Sequence, residues 1–171
     1  MSKRDKMVKS GSKFEETVRF QSKCACVCET RSNFTFYLPR IGRGTECDVI
    51  IVTQSSIYCV ECKNFNGFIS GSEMDLEWVF ASSGSKGTVA NPVLANNKHI
   101  RAIRGLFRKS NMAAPEIKNI VCVPNECRIH TDCKEVMQIK QLTYLLSKEN
   151  GGENDISSLI SIFDKLNYKE N

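Results

Sequence analysis

Residues 57–67 read IYCVECKNFNG, and the reading of this run decides the fold. Ile57–Cys62 is rich in β-branched, aromatic and small apolar side chains, as expected of a central strand covered on both sides. Asn64–Gly67 supplies turn residues directly after it. Only Glu61 and Lys63 break the apolar pattern. Residues two apart share a strand face, so the carboxylate and the ammonium project to one side, together with Cys59. Charges placed there need partners.

Upstream, CDVIIVT (47–53) reads as a second strand, with QSS as a short connection between the two. A hairpin centred near residues 54–55 puts Asp48 close to opposite Glu61. Asp48 is expected on the face that carries Ile50 and Val52. Two neighbouring carboxylates repel unless a positive group lies between them. Oxygen donors of this kind, with a few retained waters, suit Mg²⁺ or Mn²⁺. Such an ion can polarise a phosphodiester and generate a nucleophile from water. Lys63 would then stand beside the water or the phosphate. A structural ion-pair cluster uses the same residues, and the spacing of Asp48, Glu61 and Lys63 alone does not separate the two readings.

Further upstream, NFTFYLPR (33–40) alternates as a first strand, and IGRGTE (41–46) is a Gly-rich turn. Ser12 with Glu15 forms an S-x-x-E capping box for a helix through FEETVRFQSK. Phe14 and Val18 are expected to turn inward, with Phe20 as a third candidate, and Glu15 to join the acidic set. Residues 1–10 read as a disordered basic tail.

Downstream, FISG and EWVFASS read as a smaller hairpin, with Trp78 as a packing residue. Polar GSKGTVANP leads into a helix of about 16 residues from Pro92. Its apolar side carries Ile100, Ile103, Leu106 and Phe107; Lys98, Arg101, Arg104, Arg108 and Lys109 fall opposite. KNIVCVP is a fourth strand, and QIKQLTYLL and DISSLISIFDKLN are two C-terminal helices separated by SKENGGEN. The order helix, three-strand meander, small hairpin, helix, strand and C-terminal helices predicts an α/β domain.

The 171 residues suffice for one core, and the net charge of +5 is too modest to name a partner. Its distribution says more, because no acidic residue lies between Glu77 and Glu116. The basic helix face is either solvated or a contact for phosphates. His99 falls toward the apolar side and reads as a packed, hydrogen-bonded histidine. Glu46 is expected at a surface or edge. There is no apolar run of membrane-spanning length and no secretory h-region, so a cytoplasmic location is expected. The nine cysteines are then read as free, packing thiols rather than disulfides or a zinc knuckle. Cys24, Cys26 and Cys28 alternate, so on a strand they would share a face.

GSKFEETV, TECDVIIVT, IYCVECKNFNGFISG, the Trp of LEWVF and NPVLANNKHIRAI follow one another over about residues 11–124. In this order they resemble the nuclease-related domain (NERD) family of the PD-(D/E)XK, restriction-endonuclease-like nucleases. The most specific phrase is E-x-K-N-x-x-G-x-I-x-G followed by Trp and Asn-Pro. The resemblance implies Glu15 as the first-helix acid, Asp48 and Glu61 as metal ligands with Glu15 in support, and Lys63 as the catalytic lysine. It further implies a Mg²⁺- or Mn²⁺-dependent nuclease acting on DNA; separately, the geometry of cutting two strands makes a homodimer possible. The domain is bounded at 11–147, followed by a linker and packed C-terminal helix at 148–171. One position departs from the family pattern: Ala95 stands where a Gln usually follows the Asn-Pro, with Asn96 and Asn97 as candidate substitutes.

Overall fold

A computed structural model describes the backbone of residues 3–38, 43–82, 84–149 and 151–166, and side chains over 11–36, 44–82, 84–149 and 151–164. The elements are α1 (Lys3–Ala25), β1 (Glu29–Leu38), β2 (Arg43–Val52), β3 (Ser56–Cys62), β4 (Phe68–Ser70), β5 (Glu77–Ser82), β6 (Ser85–Ala90), α2 (Pro92–Lys109), β7 (Glu116–Val123), β8 (Arg128–His130), β9 (Val136–Gln138), α3 (Ile139–Ser147) and α4 (Ile156–Leu166). The main sheet has the order β1-β2-β3-β7-β9 and a smaller sheet the order β6-β5-β4-β8. β1, β2 and β3 form an antiparallel meander, and β7 joins β3 in parallel after the α2 crossover. This is the α/β architecture with C-terminal helices that the sequence predicts.

Both faces of the main sheet are covered. On one, Val49, Ile51, Tyr58, Val60 and Ile120 pack against Phe14 and Val18 of α1 and Leu142 and Leu146 of α3. On the other, Ile50, Val52, Ile57 and Cys59 meet Ile103 and Phe107 of α2 and Leu159 and Phe163 of α4. Every residue from Ser56 to Glu61 is buried, which is why β3 reads as nearly continuous apolar sequence.

Several expectations need correction. The first helix starts at Lys3, within the stretch read as a tail, and runs through Ser12 instead of being capped there. Phe20 is 69% exposed and outside the core. Cys24 lies in the last turns of α1, and Cys26 and Cys28 lie between it and β1, so the three do not alternate on a strand. The first two residues of the expected turn at 41–46 are outside the described residues; from Arg43 the chain is already strand. GSKGTVANP, read as a polar lead, contains β6, which pairs along the whole of β5. Its exposed, alternating face explains the polar composition. The three-residue strands β8 and β9 are too short to leave a periodic signal.

The small sheet gives the glycines of the 57–71 region a physical role. A Cβ on Gly67 would stand 2.7 Å from the Ala81 carbonyl oxygen, and one on Gly71 2.2 Å from Cδ1 of Trp78. Trp78 is fully buried, as expected of a packing residue, and its Nε1–H donates to the Ser72 carbonyl at 2.8 Å. Gly71→Ala is therefore expected to destabilise the chain by about 1–3 kcal/mol through overpacking; an unchanged denaturation midpoint would contradict this contact.

The linker before α4 is bonded to the β2–β3 turn through Asn154, whose N–H and side-chain amide both donate to the Gln54 carbonyl. Beside it, Glu149 accepts hydrogen bonds from Lys118 (2.9 Å), Thr53 (3.1 Å) and Tyr58. Burial pushes the Glu149 carboxyl up, but the bonds from Lys118, Tyr58 and Ser55 outweigh it and hold the group at about 2, below its ordinary 4.5. A depressed carboxyl adds stability above its unfolded value and loses it as pH falls through the folded one. Allowing for solvent at the edge of this pair, wild type should lose about 1–2 kcal/mol between pH 4.5 and 2 that Glu149→Gln lacks throughout. Parallel urea titrations against pH measure the difference.

Candidate active site at the ends of the central strands

The β2–β3 ladder pairs Val49 with Val60 through Val52 with Ile57. Continued one step, the register sets Asp48 opposite Glu61, as expected. At that step the Asp48 side chain takes over from the ladder: its Oδ2 accepts the Cys62 N–H at 2.7 Å. Cys62 is also in register with Cys122 of β7, and the Lys63 N–H donates to the Cys122 carbonyl at 2.9 Å. Lys63 Nζ donates to Glu61 Oε1 at 2.6 Å.

The facing differs in one respect from simple alternation. Val49 and Ile51 face α1 and α3, whereas Cys47 packs with Ile50 and Val52 on the α2 side. The pleat therefore reverses at Asp48. On β1 the same reversal falls at Asn33, which adopts a left-handed φ of 50° between Ser32 and Phe34. Asp48 thus occupies an irregular position rather than a regular place beside Ile50 and Val52. The reversal also turns Glu46 to the α1 side, where its charge raises Glu15.

Electrostatics place Glu15 in the same group. Its carboxyl is raised by burial, then by Glu46 and Glu61, and lowered by Lys63. Asp48 is pushed up to about 7 by burial and by the Glu61 carboxylate, against the Cys62 N–H and Lys63. Burial lowers Lys63, but Glu61 and Asp48 outweigh it and leave the ammonium raised. Glu15, Asp48, Glu61 and Lys63 are thus one interacting set with more carboxylate than cation. An all-oxygen set short of positive charge fits a hard divalent cation.

His99 approaches from α2. Its Nδ1 is 4.0 Å from Glu61 Oε2 and 3.1 Å from Asn96 Oδ1, and its Nε2 is 2.8 Å from Thr45 Oγ1. It is the buried, hydrogen-bonded histidine expected. Asn96 and Asn97, the candidate substitutes beside Ala95, both bond to the sheet. The Asn96 Nδ2 donates to the carbonyls of Cys59 and Ile120 and to Asn119 Oδ1, and Asn97 Oδ1 accepts from Asn119. Asn96 is thus bonded to β3 and β7, and Asn97 to β7. The sequence singled out Asn96 only as a substitute; its zero exposure and central bonding went unread. The sulfurs of Cys47 and Cys59 are 3.4 Å apart, a proximity that the sequence does not show.

Lys98, Arg101, Arg104, Arg108 and Lys109 are exposed, as the helical period requires. The arginines do not converge on the carboxylates. α2 runs antiparallel to β3 and β7, so Asn97 meets Asn119 while Arg101 and Arg104 border Ile117 and Lys118 in an open groove of 660 Å³. The arginines lead away from Val121, the strand partner of Glu61. Among the described residues, no helix is long and apolar enough to cross a membrane.

The chain is 32% identical over 114 residues to an uncharacterized protein of Bacillus anthracis, covering 64% of this chain and 52% of that protein. It therefore spans about half the length of the curated relative it matches. No solved structure gives a significant match. The family model described as "Nuclease-related domain" matches residues 10–124, from within α1 to the residue after β7. A match over that extent, on a fold consistent with the PD-(D/E)XK superfamily, assigns the chain: it belongs to the nuclease-related domain (NERD) family.

Proposed function

We propose that this chain is a metal-dependent nuclease that hydrolyses DNA phosphodiester bonds, in DNA processing or defence, with Mg²⁺ or Mn²⁺. The observation that supports this most directly is the gathering of Glu15, Asp48, Glu61 and Lys63 at one end of β2 and β3. Asp48 and Glu61, with Glu15, would hold the ion. Such a cation polarises the phosphodiester and lowers the pKa of a bound water. Lys63, tethered to Glu61, is placed to orient the attacking water or to neutralise charge developing on the phosphate oxygens. The Cys62 N–H fixes one Asp48 oxygen and leaves the other for a ligand. Burial of Asp48 limits solvent and strengthens each of these interactions.

A second reading, a weakly active or inactive DNA-binding module of the same fold, is favoured by Ala95 and by the engagement of Asn96 and Asn97 elsewhere. Cleavage of plasmid, linear and single-stranded DNA in Mg²⁺, Mn²⁺ or EDTA distinguishes them. The nuclease reading expects EDTA-sensitive cleavage that falls at least about 100-fold in Asp48→Asn and in Lys63→Met. Cleavage that survives either change sinks the mechanism; DNA binding without cleavage by the wild type selects the module.

The exposed arginines of α2 are proposed as phosphate contacts beyond the cleavage point. Replacing Arg101, Arg104 and Arg108 by Gln should weaken DNA affinity and flatten its salt dependence, by nearly one unit of slope for each arginine that neutralises a phosphate. An unchanged salt slope would move the DNA surface elsewhere.

A further inference from the structure

Behind the carboxylates lies a second cluster of different chemistry. Cys47, Cys59 and His99 are all buried, and their ligand atoms lie within 4.8 Å of one another. The two sulfurs are 3.4 Å apart. Cys59 Sγ is 3.0 Å from Asn96 Oδ1, and that oxygen is 3.1 Å from His99 Nδ1. The direction of the Asn96 oxygen is fixed, because its Nδ2 is bonded to three acceptors on β3 and β7. His99 is fixed as well: Nε2 at 2.8 Å from Thr45 Oγ1 can donate there and leave the Nδ1 lone pair facing the cluster.

We propose that Cys47, Cys59 and His99, with Asn96 Oδ1 as fourth donor, form a buried tetrahedral site for one thiophilic divalent cation of the zinc class. Bond lengths of about 2.0–2.3 Å in a tetrahedron separate neighbouring donors by about 3.4–3.8 Å. The observed separations of 3.4, 3.0 and 3.1 Å need to open by only a few tenths of an ångström. Two thiolates cancel the charge of a dication, so the filled site adds no net charge to the core; the two thiol protons leave to solvent. The Thr45 hydroxyl supplies the outer hydrogen bond that ligating histidines commonly have. Sulfur and imidazole donors separate this site from the oxygen donors of Glu15, Asp48 and Glu61, which suit harder ions. When filled, it ties β2 just before Asp48 to β3 just before Glu61 and both to α2. The site does not depend on nuclease activity.

The test uses the full chain, reduced and freed of metal by chelation, then titrated with Co²⁺ as an optical probe. The expected result is one equivalent bound with a thiolate-to-cobalt charge-transfer band, displaced by Zn²⁺ and unaffected by excess Mg²⁺. Cys47→Ala/Cys59→Ala should lose at least about 100-fold in affinity together with the band. His99→Gln, an uncharged change at the edge of the same cluster, serves if the double variant fails to fold, and should shift the band and weaken binding. A chain with Cys24, Cys26 and Cys28 all changed to Ala should retain both. Absence of the band in wild type overturns the proposal. So does its persistence in Cys47→Ala/Cys59→Ala or, if that chain is unfolded, an unaltered band in His99→Gln.

Discussion

The side chain of Asn96 is the contact on which the arrangement of the site depends. It is a fully buried amide on α2, and its nitrogen bridges the main chains of β3 and β7. A buried amide without partners costs several kcal/mol, so α2 is held to one axial position and one rotation on the sheet. That rotation brings His99 to Glu61 and Thr45 and turns the arginines outward. Ile103 and Phe107 alone would tolerate sliding by a fraction of a turn; the amide does not.

Much of this was legible in the chain. The apolar run with two charges identified the central strand, the short connection fixed the register, and together they brought Asp48 to Glu61. The pleat reversal was not legible, because alternation assumes a regular strand; Asn33 tolerates a left-handed φ, but one Asn in a strand-like run does not mark a reversal. The start of α1 was missed for a different reason. A capping box is a local preference, and the residues before it, rich in Lys, remain compatible with helix. β6, β8 and β9 escaped because short, half-exposed strands carry too few buried residues to set a period.

The residues that identify the family and those that would do its chemistry are mostly different. Gly67, Ile69, Gly71 and Trp78 build the small sheet and the close approach of its strands. Glu61 and Lys63 lie immediately before them, so one continuous phrase encodes both the site and the support beside it. The matched region stops after β7, yet α3 and α4 cover both faces of the main sheet. Those helices are part of the core, although the family match does not include them.

The groove beside β7 has a consequence of another kind. β9 pairs with only Val121–Val123, so among the described residues the outer edge of Glu116–Ile120 carries no strand. An open edge can template pairing with another chain and so begin aggregation. Here the gap is bordered by Arg101, Arg104 and Lys134 against one acidic side chain, Glu135. Like charges on two approaching copies would repel before their backbones could meet, so these side chains guard the edge against pairing. A polyanion that neutralised them would remove that protection as it bound.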